Sequence, residues 1–369
     1  MRVRALRPGG LKPTVLVKIV LLATDAYGGH GGIALFSRDL SSALASLGHE
    51  VVVVPRIVPQ VPGEIPPGVT FFAEAAGGPV AYARAVARAR WARPDLVVCG
   101  HMNLLPVACA IARRPMLVAY GLEAWQPLST AYRGLLRRCR GIICISSVTR
   151  DRLGAWSQYT GPMPLLPNAV HLERYGIRPR RPDLVARYGL AGKRVLLTVG
   201  RLAGQERYKG FDEIMEVLGH FPPDVVYVIA GGGTDAPRLR QRAAALGVAG
   251  RVIFTGMFSE AEKCDLYNLA DVYVMPSRAE GFGFVFLEAM ASGIPVIASK
   301  YDGGRDALLD GRLGLLVDPS NPAEIRAAIL ELLAEDGRQV PDELRHFSFA
   351  NFTSRLAAIV NSATSVSRH

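Results

Sequence analysis

Short runs of apolar residues alternate with longer stretches that have helical spacing along most of the chain. The first half carries such runs at residues 18–23, 51–54, 69–72, 96–99, 116–119 and 142–145, and the second half at 194–199, 225–230, 252–255, 272–275, 294–298 and 315–317. Between the first two runs, apolar residues recur at helical intervals, at Leu35, Phe36, Leu40, Leu44 and Leu47. Continuous apolar runs alternating with helices predict parallel strands that are buried on both faces. We therefore expect an α/β protein.

The length and the turn residues predict two domains. The chain has 369 residues, more than one typical domain, and a Pro- and Arg-rich segment at 162–182 separates the two sets of strands. We expect an N-terminal extension at 1–17, a Rossmann-like domain with linker at 18–181 and a second Rossmann-like domain at 182–348. A helix from 349 is expected to return to the first domain, followed by a polar, disordered tail from 361.

The segment 271–299 is the most informative part of the sequence. An apolar strand ends at Pro276, a glycine-containing turn follows, and an apolar helix closes at Gly293 before the next apolar run. This order predicts a βαβ unit, whose ligands bind beyond the strand ends. Glu280 precedes the helix, and Glu288 lies inside it, where an unpaired buried carboxylate would be costly. Two interpretations stay open: the carboxylates face a ligand, or Glu280 only caps the helix and Glu288 points to solvent.

The run S-R-A-E-G-F-G-F-V-F-L-E-A-M-A-S-G-I-P-V at 277–296 resembles the E-x7-E signature of retaining nucleotide-sugar glycosyltransferases of family 4, of the bacterial polysaccharide type. The resemblance implies the GT-B fold, in which two Rossmann-like domains with parallel sheets face each other across a cleft. It also implies that Glu280 lies beside the donor sugar and that Glu288 binds the ribose. The backbone amides that meet the hexose and phosphate would belong to Gly281, Phe282, Gly283 and Phe284.

Two cations flank one strand-to-helix loop in the second half. Arg201 follows the run 194–199, and Lys209 opens the next helix. The loop between them, at 203–208, is longer than the shortest loops expected between two such cations. Charge-assisted hydrogen bonds from such cations stabilise a diphosphate leaving group without a metal ion. The resemblance assigns this role to both residues, whereas the alternative is a pair of surface cations.

A glycine-rich loop follows the first strand, at residues 27–32. Gly29-x-Gly31-x-x-Ala34 satisfies a dinucleotide fingerprint, which also needs an acidic residue at the end of the second strand. That strand instead runs into Arg56, which argues against NAD. Amides at a helix N-terminus still form an anion site. The resemblance implies that Gly31 and Gly32 lie near the donor phosphates and the acceptor.

Other candidates follow strand ends. His101 comes just after the run 96–99, and the resemblance implies contact with the transferred sugar, against a structural histidine as the alternative. Glu123 and Trp125 are candidate acceptor contacts, or plain loop residues. Met257 and Phe258 are candidate nucleobase contacts, with packing as the alternative.

The positive charge belongs to the first half of the chain. Residues 1–185 carry 23 Lys and Arg against 10 Asp and Glu, whereas the remainder carries 20 against 22. A basic face favours a phosphorylated substrate or an anionic membrane surface, with a solvated helix face as the alternative. Neither cluster shows the aromatic-interleaved motif that is typical of nucleic-acid binding, so we expect no nucleic-acid partner. The clustered arginines are Arg84, Arg88, Arg90 and Arg93, and Arg133, Arg137, Arg138 and Arg140.

The five cysteines contain no C-x-x-C pair and lie mostly in apolar stretches. We interpret them as reduced, buried thiols of a cytoplasmic protein. No run of 18 apolar residues is present, so we expect no transmembrane helix, and we interpret residues 1–17 as a loose extension rather than a secretory signal.

Together the residues and the resemblance imply a retaining hexosyltransferase. A mannose- or glucose-type hexose would pass from a GDP- or UDP-sugar to a glycan or polyprenyl-diphosphate-linked acceptor during surface polysaccharide synthesis, at the inner face of the cytoplasmic membrane. No Asp-x-Asp cluster stands at a strand end, so no metal or other cofactor is expected. A nucleotide-sugar epimerase, an inverting transferase and a non-catalytic glycan-binding protein stay open as alternatives. The residues expected to act in catalysis are Glu280, His101, Arg201 and Lys209.

Overall fold

The structure is a computed structural model that describes residues 16–29, 31–335 and 337–365. Residues 1–15 of the predicted N-terminal extension, His30 of the glycine-rich loop and the last four residues of the predicted tail lie outside the described residues.

The first sheet has six strands in the order β3-β2-β1-β4-β5-β6. Its ladders from β3 to β5 are parallel, with Ile19 opposite both Val51 and Leu96. The strands are β1 (Lys18–Ala23), β2 (Glu50–Pro55), β3 (Val69–Phe71), β4 (Leu96–Cys99), β5 (Met116–Ala119) and β6 (Gly141–Cys144). The accompanying helices are α1 (Gly32–Ser46), α2 (Pro79–Trp91), α3 (Leu105–Ile111), α4 (Leu122–Trp125), α5 (Thr130–Arg138) and α6 (Ser147–Ser157).

The second sheet repeats this architecture with the order β12-β11-β10-β7-β8-β9, and its ladders are also parallel. The strands are β7 (Arg194–Val199), β8 (Val225–Ala230), β9 (Val252–Gly256), β10 (Val272–Met275), β11 (Val296–Ser299) and β12 (Leu315–Val317). The helices are α7 (Pro182–Tyr188), α8 (Phe211–Leu218), α9 (Ala236–Ala245), α10 (Glu260–Asn268), α11 (Phe284–Ala291), α12 (Gly304–Ala307) and α13 (Pro322–Ala334). The last described helix is α14 (Phe349–Ser365).

Several inner strands of both sheets are buried along their whole length, which agrees with their continuous apolar sequences. Each residue of β4, β5, β8, β10 and β11 is buried, as expected where helices cover both faces of a parallel sheet. The α/β class with two doubly wound sheets is therefore confirmed. In each sheet the strand order reverses once, between β1 and β4 and between β7 and β10. Ligands of such sheets bind at the carboxyl ends of the strands beside that reversal.

The chain divides into two compact units. The first comprises the described residues up to Leu117, together with Arg138–Gly141 and the chain from Thr353, and the second comprises Val118–Arg137 and Ile142–Phe352. In the first unit the Arg140 guanidinium donates a hydrogen bond to the carbonyl oxygen of Ala363 at 2.5 Å. The predicted domain boundaries stay a prediction.

The expected disordered tail from residue 361 is wrong for its first part. Helix α14 continues through Ser365, and Thr364 Oγ1 donates to the carbonyl oxygen of Val360 at 2.9 Å. The physical reason is apolar spacing: Val360 and Ala363 are both buried, three residues apart on one helix face.

Candidate functional site

The loop after β7 and the turn after β10 lie at the strand reversal of the second sheet. Because β7 and β10 are neighbours and parallel, their carboxyl ends meet at one sheet edge. The first loop carries Arg201 and Lys209, and the second carries Glu280 and the glycine turn. The topology therefore brings together two cations and a carboxylate that lie about 80 residues apart in the sequence.

A buried carboxylate joins the two cations. Arg201 Nη2 pairs with Glu206 Oε1, and Lys209 Nζ lies 2.7 Å from Glu206 Oε2. The side chain of Glu206 is 9% exposed and that of Lys209 is 13% exposed, whereas that of Arg201 is 76% exposed. Glu206 thus holds the cations together, with Arg201 still open to solvent.

The shape of the longer loop explains the position of Lys209. Residues Gly204–Lys209 form 3-10 turns, and Gly210 follows with φ +84°. The Lys209 side chain returns over Gly200, since a Cβ added to that glycine would lie 3.2 Å from Nζ. Sequence reasoning missed Glu206, and its only signal was an acidic residue between two expected phosphate-binding cations.

Glu280 belongs to the same cluster. Burial raises the pKa of the Glu280 carboxyl above its usual value, and the Lys209 ammonium and the amides of Phe282 and Gly281 oppose that rise. Glu206 raises the pKa further because it is a neighbouring negative charge. The residue as a whole is half-buried. The cluster therefore combines two cations with two carboxylates at the ligand-binding edge of the sheet.

Asp302, another residue that sequence reasoning missed, fixes the turn that carries Glu280. Its Oδ2 accepts hydrogen bonds from Ser277 Oγ at 2.6 Å and from the Glu280 amide at 2.8 Å, and its Oδ1 accepts from the Gly304 amide at 3.0 Å. The Gly303 amide also donates to the carbonyl oxygen of Glu280 at 2.8 Å. The turn is therefore pinned by a loop that follows the next strand, β11.

Two glycines allow the backbone to pack closely at this turn. A Cβ added to Gly281 would collide with the carbonyl oxygen of Tyr120, and one added to Gly283 would lie 2.6 Å from the Phe286 ring. Gly283 also has φ +89°, which residues other than glycine rarely adopt. The amides that the resemblance assigned to the donor thus belong to a tightly packed turn, in which Phe282 and Gly283 are buried.

The Asp302 carboxyl makes the stability of the fold depend on pH. Burial raises its pKa to about 7, although hydrogen bonds from Ser277 and Glu280 oppose that rise. An acid with a raised pKa in the folded chain stabilises the fold at low pH, and this contribution is lost as the pH rises from about 4 to about 7. We expect a loss on the order of 2–4 kcal/mol in the free energy of unfolding across this window.

Urea unfolding of the wild type and of Asp302→Asn at pH 4.5 and pH 8 measures this effect. The variant cannot ionise at this position, so its unfolding free energy should differ less between the two pH values than that of the wild type. Equal pH dependence in both proteins would contradict the assignment.

Glu288 is buried and paired, so the interpretation in which it points to solvent is wrong. The residue is 3% exposed, Lys263 Nζ lies 2.6 Å from Oε1, and Tyr267 Oη donates to Oε2 at 2.7 Å. Although burial lowers the pKa of the Lys263 ammonium, Glu288 and Glu260 outweigh burial and raise it above the usual value. The Tyr175 hydroxyl adds a third hydrogen bond to this carboxylate. A carboxylate offers about four acceptor positions, so about one remains for a ribose hydroxyl.

Two family models match consecutive parts of the chain. Residues 181–347 match the family model described as glycosyl transferases group 1, and residues 30–174 match the model described as glycosyltransferase family 4. A phosphatidyl-myo-inositol mannosyltransferase of Mycobacterium tuberculosis is 30% identical over 346 residues, which cover 85% of each chain. The chain belongs to glycosyltransferase family 4.

The chain is also similar to a second mannosyltransferase and to solved structures. A GDP-mannose-dependent alpha-(1-6)-phosphatidylinositol monomannoside mannosyltransferase of Mycolicibacterium smegmatis is 32% identical to the glycosyltransferase over 262 residues, which cover 66% of this chain and 68% of that protein. The Anabaena protein Alr3699/HepE, solved with UDP and glucose, has a TM-score of 0.73 at 22% identity and covers 94% of this chain and 100% of its own. Such structural neighbours confirm the predicted GT-B fold.

The remaining candidates in the second unit of the glycosyltransferase differ in accessibility. Met257 is 83% exposed, and a Cβ added to Gly232 would lie 2.9 Å from its Sδ, so it borders the glycine turn after β8. Phe282 is buried and packs edge-to-face against Phe347 at 5.5 Å, which leaves only its backbone for a ligand. Phe284 begins helix α11 and is half-buried.

The two acceptor candidates already have partners in the second unit. Glu123 Oε1 accepts hydrogen bonds from the amides of Tyr120 at 2.5 Å and Gly121 at 3.2 Å. Trp125 is 7% exposed, its Nε1 donates to Thr149 Oγ1 at 3.1 Å, and the Arg152 guanidinium lies over its ring. These contacts favour a structural role, and acceptor binding stays a prediction for both.

In the first unit, the candidates lie at the other strand reversal. Gly31 is the N-cap of α1 with φ +90°, and Gly32 begins that helix after β1. His101 follows β4, the parallel neighbour of β1, and its Nδ1 accepts from the Asn103 amide at 3.1 Å. Both lie at a ligand-binding sheet edge, and their roles stay predictions.

The cysteines of the glycosyltransferase are free and buried, in agreement with the sequence. Burial raises the pKa of both Cys99 and Cys144 to about 12, so the thiols stay protonated at neutral pH. In the part of the chain that the structure describes, no three His, Cys, Asp or Glu side chains gather where they could share a metal ion. Over the same residues, none of the helices combines the length and apolar character needed to cross a bilayer.

Proposed function

We propose that this glycosyltransferase moves a mannose- or glucose-type hexose from a nucleoside-diphosphate sugar to a glycolipid hydroxyl, with retention of the anomeric configuration. The observation that carries the proposal is the pairing of Arg201 and Lys209 with the buried carboxylate of Glu206, beside Glu280. Cations that converge on a carboxylate can also hold a diphosphate, because both ligands offer anionic oxygens to charged donors.

The reaction then needs no covalent intermediate on the chain. The bond between the anomeric carbon and the diphosphate oxygen breaks, the acceptor oxygen bonds to the same face of that carbon, and the acceptor proton passes to the departing diphosphate. Arg201 and Lys209 stabilise the negative charge that develops on the diphosphate. Glu280 and the amides of the 281–284 turn orient the sugar, and Glu288 holds the ribose.

We rank the candidate donors and acceptors of this chain by the activities that the names of its relatives state. Two relatives are named as mannosyltransferases that act on phosphatidylinositol or its mannoside, and one of these is named as GDP-mannose-dependent. We therefore rank GDP-mannose first as donor and a phosphatidylinositol-type glycolipid first as acceptor. A UDP-hexose and a polyprenyl-diphosphate-linked glycan of a surface polysaccharide rank second. We also propose that the transfer needs no metal ion and that the enzyme acts at the inner face of the cytoplasmic membrane.

Saturation-transfer NMR of the purified protein with GDP-mannose, UDP-glucose, ADP-glucose and TDP-glucose, in the presence of EDTA, tests the donor. We expect one clear hit, with GDP-mannose as the first candidate, and an unchanged hit when magnesium replaces EDTA. Proton NMR of the transfer product should then show the anomeric configuration of the donor. No binding of any nucleotide sugar, or an inverted product, would overturn the proposal.

A further inference from the structure

Five arginines line one pocket in the first unit, at the amino ends of three neighbouring strands. The pocket has a volume of about 400 Å³. Its arginines precede β4, β5 or β6, or lie on the last turn of α2, and they are Arg90, Arg93, Arg113, Arg114 and Arg140. Asp95 is the one carboxylate among the lining residues, and its Oδ2 already accepts a hydrogen bond from the Lys18 amide at 2.8 Å. The pocket therefore carries a large excess of positive charge.

Two local features of the arginine pocket are energetically unfavourable. Arg93 adopts φ +51°, a left-handed conformation that costs free energy for a residue with a side chain. Burial and the neighbouring Arg114 lower the pKa of the Arg140 guanidinium. An anion in the pocket would relieve the repulsion between these like charges.

An apolar groove adjoins the arginine pocket. It lies between α2 and α3, has a volume of about 570 Å³, and shares Arg90 and Ile111 with the pocket. Trp91, at the end of α2, lines the groove and is 81% exposed. An exposed tryptophan beside basic residues is typical of surfaces that sit at the boundary between lipid head groups and acyl chains.

We propose that the arginine pocket and the adjoining groove bind an anionic phospholipid of a bilayer. The phosphate lies among the arginines, and the beginning of an acyl chain lies against Trp91 and the apolar faces of α2 and α3. Charge complementarity and the continuity of a cationic pocket with an apolar groove favour an amphiphile over a small soluble anion, which would need the pocket alone.

The bound lipid is distinct from the acceptor. The pocket lies at the amino ends of the strands, whereas His101 and the Gly31 turn lie beyond the carboxyl ends of β4 and β1 in the same sheet. The four residues of β4 alone span about 13 Å. The inference extends the membrane contact in the proposed function by naming the surface, and it does not depend on the donor.

Vesicle flotation in low salt without any nucleotide sugar tests the proposal, with vesicles of phosphatidylcholine alone or with about one third phosphatidylglycerol. We expect binding to the anionic vesicles only, with a blue shift of tryptophan fluorescence that disappears in Trp91→Phe. The triple variant Arg93→Asn, Arg113→Ser, Arg114→Ser should bind about 100-fold more weakly, because each of the three basic residues near an anionic surface raises the binding constant about fivefold.

A charge-matched variant separates this site from general attraction. Arg312→Ser, Arg326→Ser, Arg345→Ser removes the same charge from exposed positions of the second unit and should bind like the wild type. Three outcomes would overturn the proposal. They are equally weakened vesicle binding in both triple variants, binding of inorganic diphosphate by a protein that does not bind vesicles, and a blue shift of tryptophan fluorescence that persists in Trp91→Phe. Transfer to a water-soluble acceptor should stay at the wild-type rate in the pocket variant, so a failed lipid site and a failed transferase assignment give different results.

Discussion

Replacing Arg201 or Lys209 by alanine is expected to lower the rate of glycosyl transfer by about two to three orders of magnitude, the effect of losing one preorganised donor to a developing negative charge. The loss should be larger for Lys209, whose ammonium is nearly buried against Glu206, than for Arg201, whose side chain is largely exposed. Charges in a poorly hydrated site interact more strongly than those in water. Steady-state kinetics with the donor found by NMR measures both effects.

Arg207 provides the matched control for these two variants. It lies in the same loop, its guanidinium is exposed, and its ion partner is Asp235 at 3.5 Å rather than Glu206. Arg207→Ala therefore removes one charge from the loop without changing the cluster, and it should keep the transfer rate within about threefold, since exposed ion pairs contribute little. A fall in the control equal to that of Lys209→Ala would mean that general loop charge, rather than the Glu206 cluster, supports the reaction.

Most of the fold could be predicted because burial leaves a clear mark on the sequence. Strands buried on both faces must be apolar throughout, so the predicted bounds of β7 and β8 agree with the structure. Helix α11 also has the predicted bounds, since a glycine turn begins it and Gly293, with φ +73°, follows it. Where polar residues mask the apolar spacing, as beyond Val360, the prediction failed.

The candidate site could be predicted only in part, because its supporting residues come from distant segments. Arg201, Lys209 and Glu280 follow strand ends, a position that the sequence reveals. Asp302 and Lys263 support Glu280 and Glu288 from 22 and 25 residues away, and no local pattern records such pairs. Glu206 is local, yet a polar loop residue has no sequence feature that distinguishes a buried bridge from a solvated side chain.

Glu288→Gln is expected to weaken donor binding and to destabilise the fold, because the carboxylate that we propose as the ribose ligand also pairs with Lys263. Among the described residues, the substitution leaves the Lys263 ammonium, whose side chain is 15% exposed, with the exposed Glu260 at 3.7 Å as its one carboxylate partner. We expect a loss of roughly 3 kcal/mol in the free energy of unfolding, the lower end for breaking a buried pair, because Glu260 remains. Urea unfolding measures this loss.

The double variant Glu288→Gln, Lys263→Met separates the effect of Glu288 on donor binding from its effect on the stability of the fold. Replacing both charges by neutral groups of similar size removes the unpaired ammonium, so most of the lost stability should return. Donor binding should not return, because the ribose would still lack a charged acceptor, which we expect to raise the dissociation constant about 10- to 100-fold. If the double variant regained wild-type affinity by NMR titration, Glu288 would act only by holding Lys263 and Tyr267, and the ribose would have to bind elsewhere at this sheet edge.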